Sequence, residues 1–135
     1  MTEEEKQILD DLMYKGSTTK NIELYNGKLN VVIRNLSVQN QLDVEASMKD
    51  IEGVPAYMMH VYALKMLGHV VVKYGDNAME NPESTEKFLS SLPGVTLDIL
   101  VAKQAEFEKQ IKALMNPESI EENFSETGST ETVST

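Results

Sequence analysis

The sequence predicts a mainly α-helical single domain with one N-terminal β-hairpin, a small α+β fold, ending in a disordered acidic tail. Three observations carry this. Several segments repeat apolar residues at spacings of three and four, the period of a helix with one buried face. One Asn-Gly pair, Asn26-Gly27, divides two short strand-like runs, and no further set of strands stands out to build a core sheet. From Pro117 to Thr135 there are five glutamates, many serines and threonines, and no Lys or Arg. Such a segment has too little apolar surface to offset the entropy of ordering. The chain therefore divides into an N-terminal amphipathic helix (1–20), a hairpin plus helical domain (21–116) and a flexible acidic Ser/Thr-rich tail (117–135).

The first helix opens on the capping-box pattern Thr2-x-x-Glu5, with Glu3, Glu4 and Glu5 in the turn where the helix dipole favours negative charge. Ile8, Leu9, Leu12 and Met13 give its apolar face, and Lys15-Gly16 ends it. In the hairpin, Asn-Gly suits a two-residue turn with positive φ at both centres, so Leu24 faces Leu29 and Ile22 faces Val31. One face is then Ile22, Leu24, Leu29, Val31 and Ile33, and a lone hairpin is too marginal in water to leave that face uncovered.

Asn35-Leu36-Ser37 ends the second strand and caps a helix reaching about Gly53, along Val38, Leu42, Ala46, Met48 and Ile51. Leu36 is placed to staple the cap onto Gln41 or Leu42. Pro55 opens an apolar helix from Ala56 to Leu67, and the breadth of its apolar surface predicts burial on several sides. The run Val70-Val71-Val72 after Gly68 either extends this helix or opens a short strand; continuation to Tyr74 is the preferred reading. Gly75-Asp76-Asn77 is a turn. Asn81-Pro82-Glu83 starts a helix with Phe88, Leu89 and Leu92, and Pro93-Gly94 breaks it. The last helix carries Leu97, Leu100, Val101, Gln104, Phe107, Ile111 and Leu114, stopping at Asn116-Pro117.

Charge narrows the function. With 12 Lys and Arg against 22 Asp and Glu among 135 residues, the formal net charge is −10, which repels nucleic-acid phosphates and anionic lipid headgroups. Neither nucleic acid nor membrane is expected as a partner. Cysteine is absent, which removes disulfides, thiolate metal sites and cysteine nucleophiles. No apolar run reaches the roughly 18 residues of a membrane span, and the acidic start does not resemble a secretory signal.

Candidate chemistry is sparse. His60 and His69 stand nine residues apart, on opposite sides of an ideal helix, and cannot share a metal from one straight helix. Asp76-Asn77-Ala78-Met79-Glu80 lacks the ligand alternation and central glycine of a calcium loop. Asn35-Leu36-Ser37 and Asn123-Phe124-Ser125 match the glycosylation pattern but lack an export signal to give it meaning. No phosphate loop, nucleophile elbow or metalloprotease motif occurs. The sequence therefore calls for no catalytic residue, metal or cofactor. Met58, Met59, Met66 and Met79 make the middle methionine-rich, and flexible thioethers suit both irregular cores and surfaces that accept varied apolar partners.

Three segments, in this order, resemble the small tail-assembly proteins of tailed bacteriophages, the tail assembly chaperones and baseplate-hub assembly proteins. The first is Val31-Val32-Ile33-Arg34-Asn35-Leu36-Ser37-Val38, a strand running through Arg-x-Leu-Ser into a helix. The second runs from Tyr62 to Val72 into Tyr74-Gly75-Asp76-Asn77, an apolar helix followed by a Gly-acid turn. The third is Phe88-Leu89-Ser90-Ser91-Leu92-Pro93 before a long final helix. The likeness spans about Ile22 to Met115. It implies a non-enzymatic chaperone in the host cytoplasm that binds the tape-measure protein or other tail proteins before tube assembly. Two alternatives stand beside it: a structural protein of the tail or baseplate retained in the virion, and a small metal-dependent enzyme using His60 or His69. For a binding protein, the expected contact residues are Met58, Met59 and Met66, with Tyr25 beside the turn on the face opposite Leu24.

Overall fold

The computed structural model describes residues 1–116; the expected acidic tail over 117–135 lies outside the described residues. The elements are α1 (Glu3–Lys15), β1 (Thr19–Leu24), β2 (Leu29–Arg34), α2 (Val38–Ser47), α3 (Pro55–Val70), β3 (Val71–Tyr74), β4 (Asn77–Ala78), α4 (Pro82–Leu89) and α5 (Gly94–Met115). The strands form one antiparallel sheet in the order β1-β2-β3-β4.

Local signals in the sequence become local structure. The Thr2 hydroxyl accepts the Glu5 amide at 3.1 Å and the Glu5 carboxylate accepts the Thr2 amide at 2.8 Å, while Gly16 at φ 77° closes α1. Ser37 and Asn40 make the same reciprocal box at the start of α2. The Asn81 side chain accepts the Ser84 amide at 2.8 Å, capping α4 ahead of Pro82. In the hairpin, Ile22 pairs with Val31 and Leu24 with Leu29. Its connection is fuller than a two-residue turn: Tyr25, Asn26 and Gly27 all have positive φ (54°, 57° and 83°). Two overlapping turn bonds, Gly27 N–H to Leu24 and Lys28 N–H to Tyr25, join them.

The sheet is larger than predicted. The fold is mixed α+β as expected, but in place of a helical domain with one hairpin the described residues hold a four-stranded sheet. The helix expected to continue to Tyr74 ends at Val70, and Val71 begins a strand. Two terms favour that exit. β-branched residues lose rotamer freedom in a helix, and the second edge of β2 would otherwise leave its backbone groups unpaired. Val71 pairs with Ile33, Lys73 with Val32 and Tyr74 with Val31, with a register shift between Val32 and Ile33. Arg34 reinforces the corner by donating its Nε–H to the His69 carbonyl at 2.9 Å.

One core lies between the sheet and the helices. Val31, Ile33, Leu67, Val70 and Leu100 are fully buried, joined by Ile8, Ile22, Leu24, Val71, Leu89, Phe107 and Ile111. Gly68 allows α3 and α4 to approach, because a Cβ there would lie 3.0 Å from the Pro82 carbonyl oxygen. Leu36 packs against the core, whereas Gln41 and Leu42, its two expected staple partners, are exposed.

Buried Gln104 ties α5 to the end of β2. Its amide nitrogen donates to the Arg34 carbonyl at 3.0 Å and to the Glu108 carboxylate at 2.8 Å, while Glu108 accepts the Leu36 amide at 2.6 Å. Replacing Gln104 with Leu leaves the Arg34 carbonyl without this donor, so a loss of about 1–3 kcal/mol is expected in denaturant unfolding. An unchanged midpoint would show that water satisfies that carbonyl equally well.

Candidate interaction surface

The two halves of α3 have opposite surroundings. Leu67, Gly68 and Val70 are buried, and Leu64 and Met66 pack against the core. From Pro55 to His60, by contrast, only Met58 is even half-buried. The expectation that this helix is buried on several sides therefore fails for its first half. The cause lies in the neighbours. α4 packs on the second half, where Gly68 meets Pro82 and Lys65 reaches Glu86 at 3.3 Å. α2 also packs on α3, its Asn40 reaching His69, and Val44, the buried residue of α2, lies outside the main core cluster.

What remains uncovered is apolar. Tyr57 is 52% exposed and Met59 72%, and Val54 and Tyr62 are exposed beside them. On α2, Val38 and Leu42 are exposed four residues apart, one turn along the same face. Ala56, Met59 and Ala63 follow at spacings of three and four, with exposed His60 among them. Isolated exposed apolar side chains are ordinary; here Met59 and Tyr62, three residues apart, share a side of α3, while Tyr57 stands on the other side of the helix. Between Val38 and His60 four carboxylates, Asp43, Glu45, Asp50 and Glu52, stand exposed against one lysine, Lys49.

The residues singled out from sequence fall in three places. Met58 and Met59 are on the exposed half of α3, half-buried and exposed respectively. Met66 packs against the core from the second half. Tyr25 belongs to the hairpin loop, where its hydroxyl and that of Thr96 on α5 lie 2.7 Å apart. Sequence reasoning missed Tyr57, Tyr62 and Val54, because apolar residues on a broadly apolar helix carry no mark of which turns lack a neighbour.

Tyr25 fastens the hairpin tip. Thr96 is 2% exposed, so Tyr25→Phe removes the hydroxyl that pairs with it and should cost about 1–2 kcal/mol, read as a lowered melting temperature. A variant melting with the parent would mean that the contact adds no net stability. Beside the loop is a cleft of about 750 Å³ floored by Leu29, Tyr74, Phe88 and Leu92 and edged by Lys28 and Asp76. Tyr74 and Phe88 meet edge to face with ring centroids 5.0 Å apart. Burial pushes the Tyr74 phenol above its ordinary pKa, and Tyr25 beside it adds to the effect.

The histidines are not brought together. His60 is exposed on the first half of α3, while His69 Nδ1 lies 3.3 Å from the Asn40 amide nitrogen. Among the described residues no group of three or more His, Asp or Glu side chains is placed to hold a metal ion. No described helix is long and apolar enough to cross a membrane. The chain has no match among known protein families, characterised proteins or solved structures.

Proposed function

We propose that this protein is a non-catalytic binding protein that covers an apolar segment of a larger partner, acting as a phage tail assembly chaperone toward the tape-measure protein. The observation that carries the binding role is the exposed apolar first half of α3, Val54 to Tyr62. The order of segments resembling the tail-assembly proteins supplies the identity of the partner. A long amphipathic tape-measure chain exposes apolar stripes until a tube encloses it. A small partner of net charge −10 can cover such stripes while its charge keeps the complex soluble.

The test is co-expression with a phage tape-measure protein and its tube protein, followed by capture on this chain. The tape-measure protein should remain soluble and be retained, and this chain should be missing from purified virions. A tape-measure protein equally insoluble with and without this chain would remove the chaperone role. Stoichiometric presence in virions would make it a structural tail or baseplate component instead.

A further inference from the structure

The sheet has two edges of unequal length. β4, on one side, is two residues long, while β1 on the other runs for six without a proline or a register shift. Which backbone groups β1 turns outward follows from the ladder. The Asn35 N–H donates to the Thr18 carbonyl at 3.2 Å, in the register that continues with Thr19 opposite Arg34, and bonded pairs alternate along an antiparallel ladder. Lys20, Ile22 and Leu24 therefore bond to β2, and Thr19, Asn21 and Glu23 present their N–H and C=O groups to the open side. The Gly75 N–H agrees by donating to the Asn30 carbonyl at 2.8 Å, which turns Asn30, the residue opposite Glu23, toward β3. Among the described residues no hydrogen bond reaches the outward groups, and all three residues are exposed. Natural sheets blunt such an edge with charge, proline or a bulge. The one cation of β1 does not serve, because Lys20 is turned toward α5 and α1, its Nζ donating to Gln110 at 2.9 Å and lying 3.9 Å from Glu4.

A row of donors and acceptors at two-residue spacing is satisfied by extended backbone, and β1 itself supplies one. A two-fold axis through Asn21 pairs Asn21 with its own copy and Thr19 with Glu23 of the second copy, all of them outward-facing, and sets Lys20 opposite Ile22. No like charges then stand opposite one another. α5 adds to the match. A groove of about 400 Å³ runs beside the edge, lined by residues 20–23 of β1 and by Lys103, Glu106 and Phe107. Lys103 and Glu106, whose charged groups are 3.9 Å apart, lie alongside the position of the axis. A two-fold reverses their order, so Lys103 of each copy approaches Glu106 of the other. We infer that this chain forms a dimer by antiparallel pairing of β1 with β1 of a second copy, joining two sheets into one. The pairing is independent of the binding role proposed for α3.

Sedimentation of the full chain at about 100 μM should show a dimer at physiological ionic strength, where repulsion between chains of net charge −10 is screened beyond about 8 Å. Hydrogen exchange reads the edge directly: the Asn21 and Glu23 amides should gain protection as concentration rises, while those of Ile22 and Leu24 are protected throughout. Asn21→Pro removes an outward N–H that the ladder with β2 does not use, and Asn21→Lys sets like charges on the axis. Each should raise the dissociation constant at least about tenfold. Lys103→Glu should weaken the dimer, and Lys103→Glu with Glu106→Lys should restore it. Circular dichroism matching the parent shows which variants are folded, and Asn21→Lys carries the test if the proline variant is not. A chain that stays monomeric overturns the inference, and so does a dimer that survives the folded Asn21 substitutions. Protection of the outward amides in a monomer would mean that another strand occupies the edge and overturns it as well. Indifference to both α5 variants overturns the register centred on Asn21.

Discussion

Replacing Val31 with Asp should remove about 4–5 kcal/mol of folding stability, a large part of what the domain has. Val31 is fully buried in β2, an interior strand, facing Ile22 on β1 and Tyr74 on β3. The substitution removes a buried aliphatic side chain, worth roughly 1.5–3 kcal/mol, and puts a carboxyl where no cation lies among its paired neighbours. Protonation relieves the charge but leaves a polar group without solvent, so a total near 4–5 kcal/mol is expected. A domain of this size has only about 5–15 kcal/mol of stability in all. Thermal unfolding followed by circular dichroism checks this; a variant melting within about 4 °C of the parent would mean that Val31 is not inside the sheet.

The second large effect is on binding. Tyr57→Ser combined with Met59→Ser changes two exposed side chains of α3, so each should alter folding stability by no more than about 0.5 kcal/mol. Capture of the proposed partner should nevertheless fall by tenfold or more, a loss of at least about 1.4 kcal/mol. Tyrosine is often the anchor of an interface, and methionine adapts to an uneven partner. Salt distinguishes the sources of affinity. Raising ionic strength into the range where the Debye length drops to about 8 Å should weaken capture less than the double substitution does. Full capture by the folded double variant, with loss at modest salt, would place the binding energy on the glutamates and discard this surface. Met58 and Met66 make useful contrasts, since one is half-buried and the other packs against the core.

The elements that could be read from the chain alone are those whose causes lie within a few residues. Thr2 and Glu5, Ser37 before α2, and Asn81 with Pro82 set helix starts through bonds spanning three residues. Asn26-Gly27 set the hairpin register, and alternation named Ile22, Leu24, Leu29, Val31 and Ile33 as its inner face, all of which belong to the core or pack against it. The spacing of Leu100, Gln104, Phe107 and Ile111 marked the buried stripe of α5. The order of weak segments supplied the proposed partner.

Other features depended on elements distant in the chain. Residues 71–74 could continue a helix or begin a strand on local grounds, and pairing with the second edge of β2, about forty residues earlier, made them a strand. The same holds for the candidate site. Met59 and Met66 sit in one apolar helix and look alike as letters, yet one is exposed and the other packs against the core. That difference arises because α4 lies along the second half of α3 and not along the first. Periodicity along a chain records which side of a helix is apolar; it does not record how far the neighbouring element extends. Burial is a property of both surfaces, so only the tertiary structure could separate the core of this protein from the apolar surface it leaves exposed.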